Sequence, residues 1–165
     1  MHWDKSKWLG MAGTLALSLA LGAPLAGAAE ETSREDYIAR VEPICKTNVE
    51  ANSRIFKGAK NEVKAGELKK GSTHFFRAAT ALGKTIKQIE AVPRPAADEA
   101  KLTRWIGLLH GEQSYFQKIG SALAAGDKYK AQNLSVKLNR NSNQANNAIL
   151  ALDFKYCRID PSKFN

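Results

Sequence analysis

The chain has 165 residues, a formal net charge of +9 and 25% charged residues. This length suits one domain. Two cysteines allow at most one intramolecular disulfide, so a small fold held together by several disulfides is excluded.

The first 28 residues are typical of a cleavable signal peptide. Lys5 and Lys7 precede a continuous apolar stretch over residues 8–25, and the small residues 26–28 form a site that signal peptidase accepts. We predict a leader over residues 1–28 and a mature domain over residues 29–165, which is secreted or resides in the periplasm or cell envelope. The alternative is an uncleaved membrane anchor over residues 8–25, because about 18 apolar residues can just span a bilayer.

The mature sequence predicts helices throughout, since apolar residues recur at spacings of three and four with almost no alternating pattern. The first helix starts near Thr32, which has capping-box spacing to Glu35. Pro43 removes one backbone hydrogen bond, so we expect a kink or a new helix start there. The apolar face of this helix comprises Tyr37, Val41, Ile44, Cys45, Ile55, Phe56, Ala59 and Val63.

Three further helices follow. Gly71 and Ser72 are expected to separate the first helix from the second, and Pro93 begins a break before the third. Gly126 suits the position after the third helix, and Asp127 is expected to cap the fourth. Four amphipathic helices with short connections predict an all-α, antiparallel up-down-up-down four-helix bundle. The apolar seams of the last three helices are Phe75, Ala79, Leu82, Ile86 and Ile89; Leu102, Trp105, Ile106, Leu109, Phe116, Ile119 and Leu123; and Ala131, Leu134, Leu138, Ala145, Ala148, Ile149 and Leu152.

The two cysteines lie near the start of the first helix and near the chain end, at Cys45 and Cys157. In an oxidising compartment such a pair most simply forms one disulfide, with two free buried thiols as the alternative. The start of the first helix and the end of the fourth are neighbours in the predicted bundle. The predicted disulfide and the predicted topology therefore support each other.

Motifs for catalysis and metal binding are missing from the mature sequence. It contains His74 and His110 but no methionine, and it lacks the C-x-x-C-H, H-E-x-x-H and G-x-S-x-G motifs and the Glu-x-x-His pairs of di-iron bundles. We expect both histidines at the surface or at the boundary of the core. We expect no catalytic residue, no metal and no cofactor.

Three polar residues fall on the apolar seams. Glu112 lies between Leu109 and Phe116, Asn141 lies in the fourth helix at a similar height, and Asn48 follows the first cysteine. A hydrogen-bonded polar layer that fixes the helix register is the simpler explanation. The alternative hypothesis is a small polar pocket for a ligand, formed by Glu112 and Asn141.

The positive charge is concentrated at one end of the predicted bundle. Residues 53–78 and 115–141 meet there and contain twelve basic and three acidic residues, while the rest of the mature chain is nearly neutral. A solvated pole is one explanation, and attraction to anionic lipids or cell-wall polymers is the other. The residues that we predict for this anionic-surface site are Lys57, Lys60, Lys64, Lys69, Lys70, Lys128, Lys130 and Lys137.

Three short motifs lie near the mature start, the middle and the end of the chain. They are residues 37–40 together with Cys45, residues 89–93 (IEAVP) and residues 148–157. In these motifs the chain resembles a group of uncharacterised actinobacterial exported helical-bundle proteins, some of them lipoproteins, with one cysteine near each end of the mature chain. The resemblance implies a disulfide-linked bundle and brings no known activity. The chain differs from the lipoprotein members because it has no cysteine at the cleavage site.

The sequence predicts an exported, non-enzymatic bundle that acts as a binding or envelope-associated protein through its basic pole. The alternative is a bundle that binds a small ligand or a metal through its polar seam residues and a histidine. Nucleic acid is not expected as a partner, because the aromatic residues occupy core seams instead of the lysine-rich pole. An uncleaved anchor would join the neutral pole and direct the basic pole away from the membrane. Attraction to membrane lipid therefore fits the cleaved form, and a cell-wall target fits the anchored form.

Overall fold

A computed structural model describes residues 31–159, which contain no strand. Two short 3-10 turns lie over Ala96–Asp98 and Leu150–Leu152. The predicted leader, its cleavage and the alternative anchor over residues 8–25 lie outside the described residues. No helix within the described range is long and apolar enough to cross a bilayer. The α-helices of this range are α1 (Arg34–Ile55), α2 (Ala59–Lys64), α3 (Leu68–Glu90), α4 (Glu99–Ala124) and α5 (Lys128–Ala148).

The four long helices form the predicted all-α bundle. Helix α3 packs against α1 and α4, and α5 packs against α4. Phe76 of α3 lies against Gly120 of α4, while Gln113 of α4 lies against Gly83 of α3, so these two helices run in opposite directions. The buried apolar faces of the helices make one continuous core. This arrangement agrees with an up-down-up-down bundle.

The start and the middle of α1 differ from the prediction. The cap is Ser33 instead of Thr32, and the Ser33 Oγ accepts a hydrogen bond from the Asp36 amide at 3.0 Å. Pro43 lies inside α1, which continues through it without a new start. The proline leaves only the carbonyl of residue 39 without its helical partner. Because Ala39 and Pro43 are both exposed, water can satisfy that carbonyl.

The break in the first predicted helix lies later than Pro43, at Gly58. Gly58 has a φ of 88°, a left-handed conformation that glycine adopts without steric cost, and the chain then restarts as α2. Helix α3 begins before Gly71 and Ser72, so these two residues are buried inside a helix and do not separate two helices. A β-carbon on Gly71 would approach Val63 Cγ2 to 2.5 Å, so the glycine allows α2 to pack closely on α3.

Three further predictions are confirmed. Gly126 has a φ of 77°, and the Asp127 side chain caps α5 by accepting a hydrogen bond from the Lys130 amide at 2.8 Å. Cys45 and Cys157 form a disulfide, with their Cα atoms 4.9 Å apart. The disulfide joins α1 to the segment that follows α5, as the predicted topology requires.

A partly buried ion pair joins the start of α1 to the start of α4. The Arg34 guanidinium donates from Nε and Nη2 to the two carboxylate oxygens of Asp98 at 2.6 and 2.8 Å, and Asp98 is 1% exposed. Lys101 adds a contact at 3.3 Å. The hydrogen bond from Arg34 is the main cause that holds the pKa of Asp98 below its ordinary value.

We expect Asp98→Asn to lower the free energy of unfolding by about 1–3 kcal/mol at pH 7, because it removes charge-assisted hydrogen bonds. A carboxyl whose pKa is lowered by folding contributes stability above its unfolded-state pKa and loses it as the pH falls. The difference between wild type and variant should therefore shrink below about pH 4. Urea denaturation at pH 7 and pH 3 measures both effects. Glu90→Gln, which removes an exposed contact to His110, is the control, and a variant as stable as the wild type at pH 7 would contradict the prediction.

Candidate functional site

A cleft of about 800 Å³ opens from the surface into the core beside α1. One wall is α1, the floor comes from α3 and α4, and the other wall is the chain segment that follows α5. The cleft exists because that segment, and not a helix, covers α1 at this point. The residues that line the cleft are Cys45, Asn48, Val49, Asn52, Ser53, Phe56, Lys57, Leu82, Thr85, Ile89, Trp105, Leu109, Glu112, Lys155, Tyr156, Cys157, Arg158 and Ile159.

Three sets of contacts hold the segment over residues 155–159 in place. The disulfide fixes it to α1, and the Glu42 carboxylate of α1 accepts hydrogen bonds from the amides of Lys155 at 2.6 Å and Tyr156 at 3.2 Å. Asn146 of α5 exchanges two hydrogen bonds with the backbone of Ile159, each 2.7 Å long. The shape of the cleft therefore depends on contacts to both α1 and α5.

Glu112 lies at the floor of the cleft and is 2% exposed. Its Oε2 makes no hydrogen bond within the described part of the chain. Burial raises the pKa of Glu112 from an ordinary 4.5 to about 8, because an ionised carboxylate loses its hydration there. At neutral pH the side chain is mainly a neutral carboxylic acid, which can donate one hydrogen bond and accept others.

Further polar atoms without partners line the same cleft. The indole Nε1 of Trp105 and the Oδ1 atoms of Asn48 and Asn52 are buried and make no hydrogen bond within residues 31–159. Asn48 and Asn52 are one helical turn apart on α1, so they present their amides on the same face. An N–H donor, two acceptors and a neutral carboxyl thus surround one space. Buried polar groups are nearly always paired, so this set marks the cleft as a place for a polar guest.

The mouth of the cleft carries basic side chains. Lys57, Lys155 and Arg158 line it, and all three are exposed. Of the eight lysines predicted for the basic pole, only Lys57 belongs to this cleft. The positive charge at the mouth favours the approach of neutral or anionic molecules over cations.

The structure separates the two residues of the predicted polar pocket. Glu112 lines the cleft, but Asn141 lies at the contact between α4 and α5, where its Nδ2 donates to the Leu108 carbonyl at 2.8 Å. Gly111 leaves room for the Asn141 side chain, because a β-carbon on Gly111 would lie 2.8 Å from Asn141 Oδ1. Asn141 is thus a hydrogen-bonded register residue, as the simpler explanation proposed. Glu112 is not part of that layer.

The residues predicted for the basic pole are all exposed. Three of them, Lys60, Lys64 and Lys128, surround a second, apolar cavity between α2 and the start of α5. Lys69 and Lys70 lie beside the turn at Gly126, while Lys130 and Lys137 lie on α5. The pole is therefore a real juxtaposition of α2, the start of α3, the end of α4 and the start of α5.

Both histidines of the described chain have structural contacts. His74 is mostly buried, and its ring bridges the Ile55 carbonyl and the Glu62 carboxylate, which attaches α2 to α3. His110 is exposed and contacts Glu90 at 2.9 Å. Within residues 31–159 no three side chains of histidine, cysteine, aspartate or glutamate come together in a way that could hold a metal ion.

Trp105 and Asn52 are site residues that the sequence analysis missed. The sequence predicts Trp105 in the core, and this is confirmed for its ring, which is buried and stacks on Phe154 with centroids 5.6 Å apart. Only the position of Nε1 makes it a site residue. Asn52 repeats Asn48 after one helical turn, so a polar stripe on α1 was a visible signal.

Comparison of the chain with models of protein families, with curated proteins and with solved structures finds no match in any of the three. The resemblance to exported actinobacterial bundles therefore stays a prediction, and the candidate site is interpreted from its own geometry.

Proposed function

We propose that the protein is an exported, non-enzymatic binding protein that holds a small molecule in the cleft beside α1. The observation that carries this proposal is the carboxyl group of Glu112, which is buried, unpaired at Oε2 and in contact with a cleft that opens to solvent. A buried polar group without a partner costs about 1–3 kcal/mol, so a ligand that pairs with it recovers that cost. This gives the ligand a specific point of recognition.

The polar atoms define the chemistry of the ligand. A neutral Glu112 and the Trp105 indole can donate hydrogen bonds, and the Asn48 and Asn52 oxygens can accept them. Apolar side chains such as Leu109 make up most of the remaining floor. We infer a partly apolar small molecule with a hydroxyl or amide group at its inner end and a neutral or anionic outer end. Its volume must suit a cleft of about 800 Å³.

Export and a non-enzymatic role have separate support. The disulfide is chemically reasonable in an oxidising compartment, which agrees with the predicted leader over residues 1–28. The disulfide uses both cysteines, and both histidines of the described chain contact carboxylates outside the cleft, so residues 31–159 bring neither a free thiol nor a histidine to the cleft. Secretion or retention in the envelope remains our proposal for the location.

We expect a native mass spectrum of protein purified from its own host to show one bound small molecule that denaturation releases. Glu112→Leu should lose it, because leucine fills the floor without the hydrogen bonds, and a penalty of 1–3 kcal/mol weakens binding by about 5- to 150-fold. Glu90→Gln, a change on the exposed face of α3, should retain it. Trp105 is the one tryptophan of residues 31–159, so its emission reports ligand addition. Wild-type protein without an adduct, or a Glu112→Leu variant that keeps it, contradicts the proposal.

A second candidate function is attraction of the basic pole to an anionic envelope surface, either lipid or cell-wall polymer. It is favoured by the meeting of the basic ends of α2 and α5, where Lys60, Lys64 and Lys128 are exposed and close to one cavity. Binding to vesicles that contain phosphatidylglycerol should weaken steeply between low and high salt, because salt screens exposed charges. Binding that is unchanged by salt would exclude this function.

A further inference from the structure

The basic pole contains an apolar cavity of about 470 Å³, which we call the pole pocket. It lies among the ends of four helices, and the lysines at its rim come from α2 and α5. Its volume is within the range of about 300–1,000 Å³ that small-molecule sites occupy. The residues that line the pole pocket are Phe56, Ala59, Lys60, Val63, Lys64, Phe75, Ile119, Leu123, Lys128, Ala131, Gln132, Ser135 and Val136.

The interior of the pole pocket lacks polar atoms that need a guest. Ser135 donates its hydroxyl hydrogen to the Ala131 carbonyl at 3.0 Å, so it is already paired. Most other lining side chains are aliphatic or aromatic, and Val136 is 51% exposed at the edge. An apolar chain is therefore a suitable occupant, because burial of its surface is favourable and leaves no polar group unpaired.

The lysines at the rim of the pole pocket are not engaged in ion pairs. Lys60, Lys64 and Lys128 are exposed, and none of them belongs to an ion pair within the described range. The nearby acidic residues have other partners: Glu62 pairs with His74, Glu67 with Lys70, and Asp127 caps α5. Three cations thus line one apolar opening, and within the described range no carboxylate forms an ion pair with any of them.

The geometry points to a single-chain anionic amphiphile as the ligand of the pole pocket, with its apolar chain inside and its anionic head group among Lys60, Lys64 and Lys128. This inference deepens the second candidate function, since it names a ligand class for the pole, and it does not depend on the cleft. The lysines can hold a carboxylate or phosphate head group, while the chain supplies the apolar contact. Selectivity for negative charge is the property that distinguishes this site from a general apolar patch.

The test uses the delipidated protein from its own host and three probes of equal chain length at concentrations below micelle formation. They are tetradecanoate, tetradecanol and tetradecyltrimethylammonium, and binding is measured by calorimetry. We expect tetradecanoate to bind with one-to-one stoichiometry and about tenfold or more tightly than the other two, since each lysine near an anionic group adds favourable energy. Equal binding of the three probes, or no binding of tetradecanoate, overturns the inference.

Variants locate the site. The triple change Lys60→Gln, Lys64→Gln and Lys128→Gln should remove the preference for tetradecanoate, and Val136→Glu should weaken its binding by placing an acid at the exposed edge. A matched control changes three exposed basic residues away from the pole, Lys84, Lys87 and Arg104, to glutamine and should keep the preference. A preference that survives the triple change at the pole overturns the inference.

The cleft needs its own control, because tetradecanoate could enter it instead. Glu112→Leu should leave tetradecanoate binding unchanged, and loss of binding in that variant would assign the probe to the cleft and overturn the inference. Vesicle binding that persists while tetradecanoate binding fails would also overturn it, but would leave the proposal of an anionic surface intact. The two proposals can therefore fail separately.

Discussion

Removal of the disulfide by the double change Cys45→Ala and Cys157→Ala is expected to lower the free energy of unfolding by about 5 kcal/mol. The bond closes a loop with a sequence separation of 112 residues. In the chain-entropy account, opening a loop of this size restores that much conformational freedom to the unfolded chain. A loss of this size is a large fraction of the 5–15 kcal/mol typical of a domain. It corresponds to a decrease in Tm of roughly 15–25 °C for a domain of this length.

Removal of the disulfide should also loosen the structure locally, in addition to lowering the free energy of unfolding of the whole domain. The disulfide, Glu42 and Asn146 together hold residues 155–159 over the cleft, so loss of the covalent bond should loosen one wall while α3, α4 and α5 stay packed. Hydrogen exchange should therefore rise first in residues 155–159. Urea denaturation with and without a reductant measures the global effect, and the double variant, which has no disulfide to reduce, is the control. A wild-type protein whose stability is insensitive to full reduction would contradict the prediction.

The sequence predicted the helical class and the disulfide because both depend on features with a clear local signature. Apolar residues at helical spacing determine which faces are buried, and an exported chain with two cysteines has one simple pairing. The sequence predicts a kink or a new helix start at Pro43, whereas the helix breaks at Gly58. A proline on an exposed helix face costs one hydrogen bond that water can replace, whereas a glycine with positive φ ends the helix.

The site was predicted only in part, and the reason is geometric. Glu112 and Asn141 were placed together from their height in the bundle, but height does not define which neighbour a side chain faces. Helix α4 directs Glu112 to the cleft, while Asn141 of α5 reaches the backbone of α4 at Leu108. The cleft also depends on residues 155–159, which have no regular structure and no periodic pattern. Sequence periodicity could not predict that an irregular segment would take the place of a helix beside α1.

Glu112→Gln is expected to make the protein more stable above neutral pH and to remove a large pH dependence of its stability. Folding raises the pKa of Glu112 from 4.5 to about 8, so the folded state keeps a proton that the unfolded state releases above about pH 4.5. The preference of the folded state for this proton stabilises the protein fully below pH 4.5. This stabilisation is lost as the pH rises, and the loss is complete above about pH 8. Since one pKa unit corresponds to about 1.4 kcal/mol, the loss across this interval is at most about 5 kcal/mol.

The measurement compares free energies of unfolding of wild type and Glu112→Gln at pH 5 and pH 9. The amide has nearly the same shape as the acid and cannot ionise, so the variant should exceed the wild type most at pH 9 and little at pH 5. Other titrating groups affect both proteins equally and cancel in the difference. Glu50→Gln, an exposed change on α1, should show a difference near zero at both pH values. If the wild type and Glu112→Gln differ equally at the two pH values, Glu112 is ionised in the folded protein and the cleft does not hold a neutral carboxyl donor.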